Sequence, residues 1–253
     1  MGRNYEARPV SAEDAAFVRS LVIHQDAAIL ALNKPAGLPV QTRNPDDRTL
    51  DALMAAFARS NGKRPRLVHR LDAPTSGVIV AAVTQPAAAA LSAAFAGRQV
   101  AKTYLALVAG VRPSEAEGEI DAPLIRHRPK PELELMRAAR PGEAGAQAAR
   151  TRWRLAASSG ALHLLEVEPE TGRMHQIRAH LALAGMPIVG DPYYGGATTL
   201  HGVRAPRLML HALRLSAPHP SGGRFVVFAE APGEFRAALA ARPAGLAKTL
   251  KPD

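Results

Sequence analysis

Cysteine is absent from the 253-residue sequence. Its absence excludes disulfide bonds, cysteine-ligated zinc, iron–sulfur clusters and a cysteine nucleophile. Acidic residues are scarce relative to basic ones, with 22 Asp and Glu against 32 Lys and Arg and a formal net charge of +10. Such an excess of positive charge is typical of a protein with a polyanionic partner. Nucleic acid is the first candidate, and an anionic membrane surface is the second.

Long apolar runs are also missing from the sequence. No stretch approaches the length of about 18 apolar residues that a transmembrane helix needs. The N-terminal segment lacks the apolar core of a signal peptide. These absences predict a cytoplasmic protein. The lack of cysteine agrees with a reducing compartment, although it is compatible with any other.

The order of the elements indicates the fold class. At about 150 residues per domain, the length allows one large domain or two small ones. Strands and helices mix without the strict alternation of βαβ units, which favours an α+β fold over a doubly wound sheet. We expect an N-terminal arm over residues 1–20, a single domain over 21–240 and a basic tail over 241–253. The arm is predicted to be either loose or a short helix.

Apolar patterning and turn residues place the elements of that domain. Helices are predicted at 49–60, 86–97 and 174–183. Strands are predicted as a hairpin over 21–32 and at 78–83, 103–108, 153–155, 162–167, 208–215 and 224–228. Residues 126–150 carry many charges and little periodicity, so they are predicted to form an extended, mobile insertion.

A basic run that ends in one carboxylate is the first candidate site. Asp72 follows a stretch without acidic residues that contains Arg59, Lys63, Arg64, Arg66 and Arg70. Arg70 and Asp72 are two residues apart, so an extended backbone directs them to the same face. The run fits either a solvated surface or a groove that tracks phosphates. Asp72 fits either a ligand-binding carboxylate or a turn cap that accepts from the backbone of Thr75 or Ser76, and spacing alone favours the cap.

The segment 171–181 is the second candidate site. Thr171 is a possible cap for a helix whose N-terminus would bind an anion. Arg178 flanks an apolar stripe that faces the core. His175 and His180 are five residues apart, do not share a helix face and lack the spacing of a zinc-binding motif. These histidines are therefore interpreted as structural or phosphate-contacting.

Lys102 and Tyr104 form the third candidate site. They are two residues apart in a predicted strand and so share one face. Aromatic residues are only 4% of the chain, which makes an aromatic side chain beside a cation informative. The pair fits base stacking in a nucleic-acid site, and it fits an ordinary sheet surface equally well.

These segments occur together and in this order, and the sequence thereby resembles the RluA-type family of RNA pseudouridine synthases. The resemblance covers about residues 21–232. It rests on the catalytic motif His69-Arg70-Leu71-Asp72 with Thr75-Ser76-Gly77, and on Asn33-Lys34-Pro35-Ala36-Gly37, Lys102-Thr103-Tyr104, Gly172 to His180, Pro187 to Asp191 and Leu210-His211-Ala212. Met174 stands where the family usually has Thr or Ser.

The resemblance implies the fold, the reaction and the roles of several residues. The expected fold is a catalytic α+β domain with a central mixed, mostly antiparallel sheet, flanking helices and a basic active-site cleft. The expected reaction isomerises uridine to pseudouridine within RNA. Catalytic roles are implied for Asp72, for Tyr104 as the stacking residue and for Arg178 as the cationic partner of Asp72. RNA contacts are implied for Lys34, His69, Arg70, Lys102 and Arg173.

The expected reaction also limits the cofactors and partners that the protein needs. Either role implied for Asp72, addition at C1′ or proton abstraction at C2′, needs an ionised carboxylate, which burial opposes unless a cation faces it. The isomerisation needs no cofactor and no metal. The expected partner is a stem-loop of rRNA or tRNA bound by a monomer. The short N-terminal arm predicts a compact member without the S4 RNA-binding domain of many relatives.

Two rival functions fit the same charge. The first is a non-catalytic RNA-binding or ribosome-assembly protein on the same fold, for which the basic surface is equally suitable. Retention of Asp72 favours the enzyme over this rival. The second is a metal-dependent nuclease, which lacks the clustered carboxylates that two-metal chemistry requires.

Overall fold

The computed structural model describes residues 10–42, 44, 46–110, 113–159, 161–196, 199–200, 203–233 and 235. The chain divides into two compact units, Met1–Val100 with Ser216–Ala229 and Ala101–Leu215 with Glu230–Asp253. The predicted tail lies outside the described residues, as do the first nine residues of the predicted arm. The boundaries proposed at residues 20 and 240 stay predictions.

The first unit contains five strands and three helices within its described residues. Its strands are β1 (Val22–Gln25), β2 (Ile29–Lys34), β3 (Arg66–Leu67), β4 (Ser76–Ala82) and β14 (Arg224–Phe228). Its helices are α1 (Ala12–Ser20), α2 (Leu50–Leu53), which continues as a 3-10 turn over Met54–Phe57, and α3 (Gln85–Ala96). β2 pairs antiparallel with both β1 and β4, and β3 also pairs with β4.

The predicted elements of the first unit are confirmed, except that the helix predicted over 49–60 is short and ends as a 3-10 turn at Phe57. Residues 12–20 form the helix rather than a loose arm, because Ser11 accepts from the backbone of Asp14 and Val18 is fully buried. Thr49 caps α2. β4 is buried along its whole length, as its continuous apolar pattern predicts.

The second unit is built on an antiparallel sheet. Its strands are β5 (Ala101–Ala109), β6 (Glu117–Asp121), β7 (Leu124–Lys130), β8 (Leu133–Ala138), β9 (Arg150–Ser159), β10 (Leu162–Pro169), β11 (Thr199–Leu200), β12 (Val203–Arg204) and β13 (Leu210–Pro218). The sheet order is β5-β10-β9-β6, and the helix is α4 (Gln176–Leu183). β13 runs on into the first unit, where β14 pairs with it. These strands and helices confirm the α+β class.

Cross-strand pairing gives this sheet two chemically different faces. Tyr104 lies opposite Val167, which lies opposite Trp153, and these side chains point to one side. Thr151 points to the same side and bonds to side chains of α4, so we call this side the helix face. The opposite side, the charged face, carries Arg150, Arg152, Arg154, Glu117, Glu119, Asp121, Glu166 and Glu168.

Two sequence predictions in this unit are wrong. Residues 126–150 are not an irregular insertion, because β7 and β8 pair antiparallel as a two-stranded sheet. Strand periodicity is hidden there because most β7 side chains are exposed. Thr171 does not cap α4. His175 occupies the cap position with a left-handed backbone, φ +50°, and Thr171 instead donates to the Gln176 side chain.

The helices of the described ranges are short. None of them has the length and apolarity needed to cross a bilayer.

Candidate active site

A tight turn at the start of β4 presents Asp72. The backbone N–H of Thr75 donates to the Asp72 carbonyl at 3.0 Å and closes the turn. The main chain thus satisfies the Thr75 N–H, one of the two backbone donors that a turn-cap role of Asp72 would use. Asp72 itself is half-buried, between the buried Leu71 and the buried Thr75.

Lys34 stabilises this turn through hydrogen bonds to backbone carbonyls. Its Nζ donates to the carbonyls of Ala73 at 3.0 Å, Leu38 at 2.8 Å and Pro35 at 2.9 Å. The Ala73 carbonyl also accepts from the Gly37 N–H at 2.8 Å. Lys34 is 0% exposed, and three carbonyls occupy the three donors of its ammonium. This placement contradicts a direct RNA contact by Lys34 and gives it a structural task instead.

His69 and Arg70 precede the Asp72 turn and differ in their contacts. His69 Nε2 accepts from the Val80 N–H at 2.9 Å, and the ring stacks on Phe95 at 4.6 Å. His69 therefore shapes the strand that leads to Asp72. Arg70 is exposed, and within the described ranges no hydrogen bond or ion pair holds its guanidinium.

Arg178 in the second unit forms a buried, two-pronged ion pair. Its Nε and one terminal nitrogen donate to the two carboxylate oxygens of Asp191 at 2.7 and 2.9 Å. Arg178 is 3% exposed and Asp191 is 0% exposed. Asp191 also accepts from the backbone N–H of Tyr193 at 3.0 Å and of Tyr194 at 3.3 Å. This bidentate geometry fixes the plane of the guanidinium.

Tyr194 joins Arg178 to the β7–β8 hairpin. Its ring lies 5.0 Å from the Arg178 guanidinium carbon. Its hydroxyl accepts from the Met136 N–H at 2.8 Å and lies 3.0 Å from His175 Nδ1. The Tyr194 hydroxyl therefore contacts both the Met136 N–H and the His175 ring. The Tyr194 side chain therefore connects the turn after Asp191 with the cap of α4 and with the β7–β8 hairpin.

A buried polar network anchors α4 to the helix face. The Gln176 side-chain amide donates to the Arg150 carbonyl at 2.9 Å and to the Thr151 hydroxyl at 3.0 Å, and it accepts from the Thr171 hydroxyl. His180 bridges the Thr151 hydroxyl at 2.8 Å and the Ala122 carbonyl at 2.9 Å. Burial lowers the pKa of His180, which is therefore neutral in this network.

Tyr104, Lys102 and Arg173 also lie in the second unit. Tyr104 and Lys102 are half-buried on the helix face of β5. Burial lowers the pKa of the Lys102 ammonium. Arg173 is half-buried and donates from Nε to the Ala148 carbonyl at 3.1 Å, which leaves its terminal nitrogens for other contacts.

The second unit thus gathers Arg178 with residues that the sequence did not single out for a role, namely Asp191, Tyr194 and Gln176. Their sequence signal is weak. The clearest trace is the pair Gly190 and Gly196 around Asp191, where a Cβ would lie 1.9 Å from the Arg207 carbonyl oxygen and 1.8 Å from the Ile188 carbonyl oxygen. Asp72, His69 and Lys34 belong to the first unit.

Comparison with known proteins agrees with these features. Residues 28–183 match the family model described as RNA pseudouridylate synthase. The dual-specificity RNA pseudouridine synthase RluA of Escherichia coli K12 is 37% identical over 224 residues, which cover 85% of this chain and 94% of the relative. The ribosomal large subunit pseudouridine synthase D of Zymomonas mobilis is 35% identical over 228 residues, which cover 85% of this chain and 70% of the relative.

A third relative is longer. An uncharacterized RNA pseudouridine synthase of Chloroflexus aurantiacus is 42% identical over 203 residues, but the match covers 78% of this chain and 60% of the relative. Among solved structures, human RNA pseudouridylate synthase domain containing 4 matches with a TM-score of 0.74 and 27% identity, over 90% of this chain and 96% of that one. The resemblance to the RluA-type sequences is thereby confirmed, and the chain belongs to the RNA pseudouridine synthases, a family of isomerases.

Proposed function

We propose that this chain isomerises uridine to pseudouridine in structured RNA, with Asp72 as the acting carboxylate. The reaction breaks the N1–C1′ bond, turns the uracil and joins C5 to C1′. The proton on C5 is lost and N1 gains one, so no redox partner or group donor is required. The proposal rests most on the Asp72 turn, which lies in the family's motif and is held by a buried lysine.

Asp72 has two possible roles in this scheme. It either adds to C1′ of the ribose or removes a proton from C2′ to give a glycal. Both need the same thing from the protein, a fixed and ionised carboxylate. The bonds of Lys34 and Gly37 to the Ala73 carbonyl support this assignment, because they fix the main chain next to Asp72.

Arg178 and Tyr104 complete the proposed machinery. Arg178 supplies the cation that keeps Asp72 ionised, and its pair with Asp191 holds the guanidinium in one orientation. Tyr104 stacks on the extruded uracil, a contact worth about 1–3 kcal/mol per base. Replacement of Arg178 by Ala is expected to lower turnover by orders of magnitude.

RNA contacts are proposed for a smaller set of basic residues. Arg70 is exposed and so is available either to fill the space of the extruded base or to bind a phosphate. Arg173 keeps terminal donors beyond its bond to Ala148. His69 contributes by shaping the strand before Arg70. These residues are the proposed walls of the basic cleft.

The proposed substrate is a stem-loop of rRNA, of tRNA or of both, bound by a monomer in the cytoplasm. The names of the relatives support an RNA substrate, since one is called a dual-specificity RNA pseudouridine synthase and another a ribosomal large subunit pseudouridine synthase. The net charge of +10 supports a polyanionic partner.

Tritium release from RNA labelled with 5-³H-uridine tests the reaction. The wild-type chain is expected to release tritium from tRNA or large-subunit rRNA transcripts, and Asp72→Asn is expected to release none while retaining the wild-type fold and RNA affinity. RNA binding without release from any transcript would favour the non-catalytic RNA-binding protein. Chemical mapping of pseudouridine in RNA from a deletion strain would then identify the target uridine.

A further inference from the structure

Lys102 is a cation on the helix face, where the described residues of β5, β9 and β10 offer it no acid. Its strand neighbours on the helix face are Tyr104, Val167, Trp153, Thr151 and Pro169, all uncharged. The carboxylates of β6 and β10 lie on the charged face instead, where Arg150, Arg152 and Arg154 are their partners. The alternation of side chains along a strand therefore separates Lys102 from every acidic residue of these strands.

Lys102 is also unpaired. Among the residues that the structure describes, no hydrogen bond or ion pair reaches its ammonium, and burial lowers its pKa. An ammonium that is partly removed from water without a partner is unfavourable. Such a group is more often found where a ligand supplies the missing charge than on an inert surface.

The surroundings of the ammonium leave room for that ligand. A Cβ built on Gly172 would lie 3.9 Å from Lys102 Nζ, so the ammonium lies beside the backbone that joins β10 to α4. Gly172 is exposed and has no side chain to cover the ammonium. The backbone at Gly172 therefore leaves this side of the ammonium open to an anion as far as that residue is concerned.

We propose that Lys102 binds a phosphodiester group of the RNA, belonging to the nucleotide whose base stacks on Tyr104 or to its immediate neighbour. The assignment rests on the proposed function. Lys102 and Tyr104 are two residues apart on one face of β5, about 6.6 Å along the strand. This separation is comparable with that between a nucleobase and its own phosphate, so one residue engages the base and the other the backbone.

The salt dependence of RNA binding tests this proposal without requiring catalysis. Fluorescence anisotropy with a labelled, uridine-containing RNA stem-loop gives Kd across a series of NaCl concentrations for wild type, Lys102→Gln and Lys102→Arg. Each phosphate contact contributes about 0.7–0.9 to the slope of log Kd against log salt. Lys102→Gln is expected to lower the slope by that amount, and Lys102→Arg is expected to keep it.

Arg154→Gln is the matched control. It removes one positive charge from the charged face of the same sheet, where Arg154 pairs with Glu166, and it should leave the salt slope unchanged. A slope that falls equally in Lys102→Gln and Arg154→Gln would overturn the proposal, because the effect would then report net charge. An unchanged slope in Lys102→Gln would overturn it as well.

A second variant separates ligand binding from folding. Lys102→Met keeps the length of the side chain and removes a desolvated, unpaired charge. It is expected to raise the thermal unfolding midpoint without RNA and to weaken RNA binding, a pattern typical of sites kept for function. A lower midpoint together with weaker binding would assign Lys102 to the fold alone. If the wild type released no tritium but Lys102→Gln still lowered the slope of log Kd against log salt, the proposed function would be wrong. The phosphate site at Lys102 would nevertheless be supported.

Discussion

Two groups of arginine–carboxylate pairs in the second unit use the same chemistry in opposite surroundings. On the charged face, Arg150, Arg152 and Arg154 reach acidic residues of neighbouring strands while their side chains stay 45–61% exposed. Beneath α4, Arg178 and Asp191 form one pair that is almost fully removed from water. Exposed pairs add little to stability, because water and salt screen them.

The buried pair has a different role. Its two charges have lost their hydration, so each depends on the other and on the backbone N–H groups of Tyr193 and Tyr194. Removal of either partner takes the main counter-charge in this pair away from a charge in a poorly solvated site. The arginines of the charged face therefore pair with acidic residues at the surface, whereas the buried pair fixes the orientation of one guanidinium.

Asp191→Asn is expected to have the largest effect. It removes the carboxylate that binds the Arg178 guanidinium through two hydrogen bonds, and loss of one partner of a buried pair costs about 3–5 kcal/mol of unfolding free energy. Because the guanidinium would also lose its fixed orientation, kcat is expected to fall by about 100-fold with a smaller change in KM. Urea unfolding and single-turnover kinetics measure the two effects.

Asp121→Asn is the matched control for that variant. Asp121 bonds to Arg150 at 2.7 Å on the charged face and is 53% exposed. The same change there should leave both the unfolding midpoint and kcat at wild-type values. Similar losses in Asp191→Asn and Asp121→Asn would remove the distinction between the two settings.

His180→Leu is expected to have the next largest effect. It removes the His180 contact from the Thr151 hydroxyl, which keeps its bond from Gln176, and from the Ala122 carbonyl, at a cost of about 1–3 kcal/mol for each buried group. The variant also changes the pH dependence of stability. Since the pKa of His180 is lowered in the folded state, the unfolded state binds a proton first as the pH falls below about 6.5, and stability is lost there.

Urea unfolding at pH 7.5 and pH 5.0 checks this prediction. His180→Leu should be less stable than wild type at pH 7.5, and the gap should narrow at pH 5.0 because the variant has no imidazole to protonate. His127→Gln, at an exposed position of β7, should keep the wild-type difference between the two pH values. A gap that stays constant would show that His180 is not held neutral.

The sequence was a good guide where chemistry is local and a poor one where it depends on distant contacts. The turn around Asp72, the strand of Lys102 and Tyr104 and the helix α3 follow from residue types within short segments. The role of Asp191 could not be read in this way, because its partner Arg178 is 13 positions away. The β7–β8 hairpin was missed because its strands bury few side chains, so the alternation that marks a strand is absent.

Tyr194→Phe is expected to have a moderate effect. It removes the hydroxyl that accepts from Met136 and bonds to the His175 ring, at a cost of about 1 kcal/mol. The ring stays beside Arg178, so kcat should change little. Tyr194→Leu removes the ring as well and should lower kcat further. Thermal unfolding and single-turnover rates separate the two roles, with Tyr193→Phe as a control because Tyr193 is 52% exposed.

A contrary result for Tyr194 would be equally informative. If Phe and Leu lowered kcat by the same factor, the hydroxyl link to the hairpin, and not the ring, would control the orientation of Arg178. The orientation of the buried pair would then depend on the β7–β8 hairpin. The ion pairs of the charged face have no such dependence, so the two groups of pairs would differ further.

Arg152→Gln is expected to have the smallest effect and tests the other side of the comparison. Arg152 contacts Glu119 at 3.7 Å and also Glu170, and it is 61% exposed. Its loss should leave kcat, RNA affinity and the salt slope of binding unchanged. A slight decrease in the unfolding midpoint is expected only at low ionic strength and should vanish in 500 mM NaCl, where exposed charges are screened. Weaker RNA binding by Arg152→Gln would place RNA on the charged face. Loss of an exposed ion pair leaves its acidic partners hydrated, so it gives no other reason for a loss of RNA affinity.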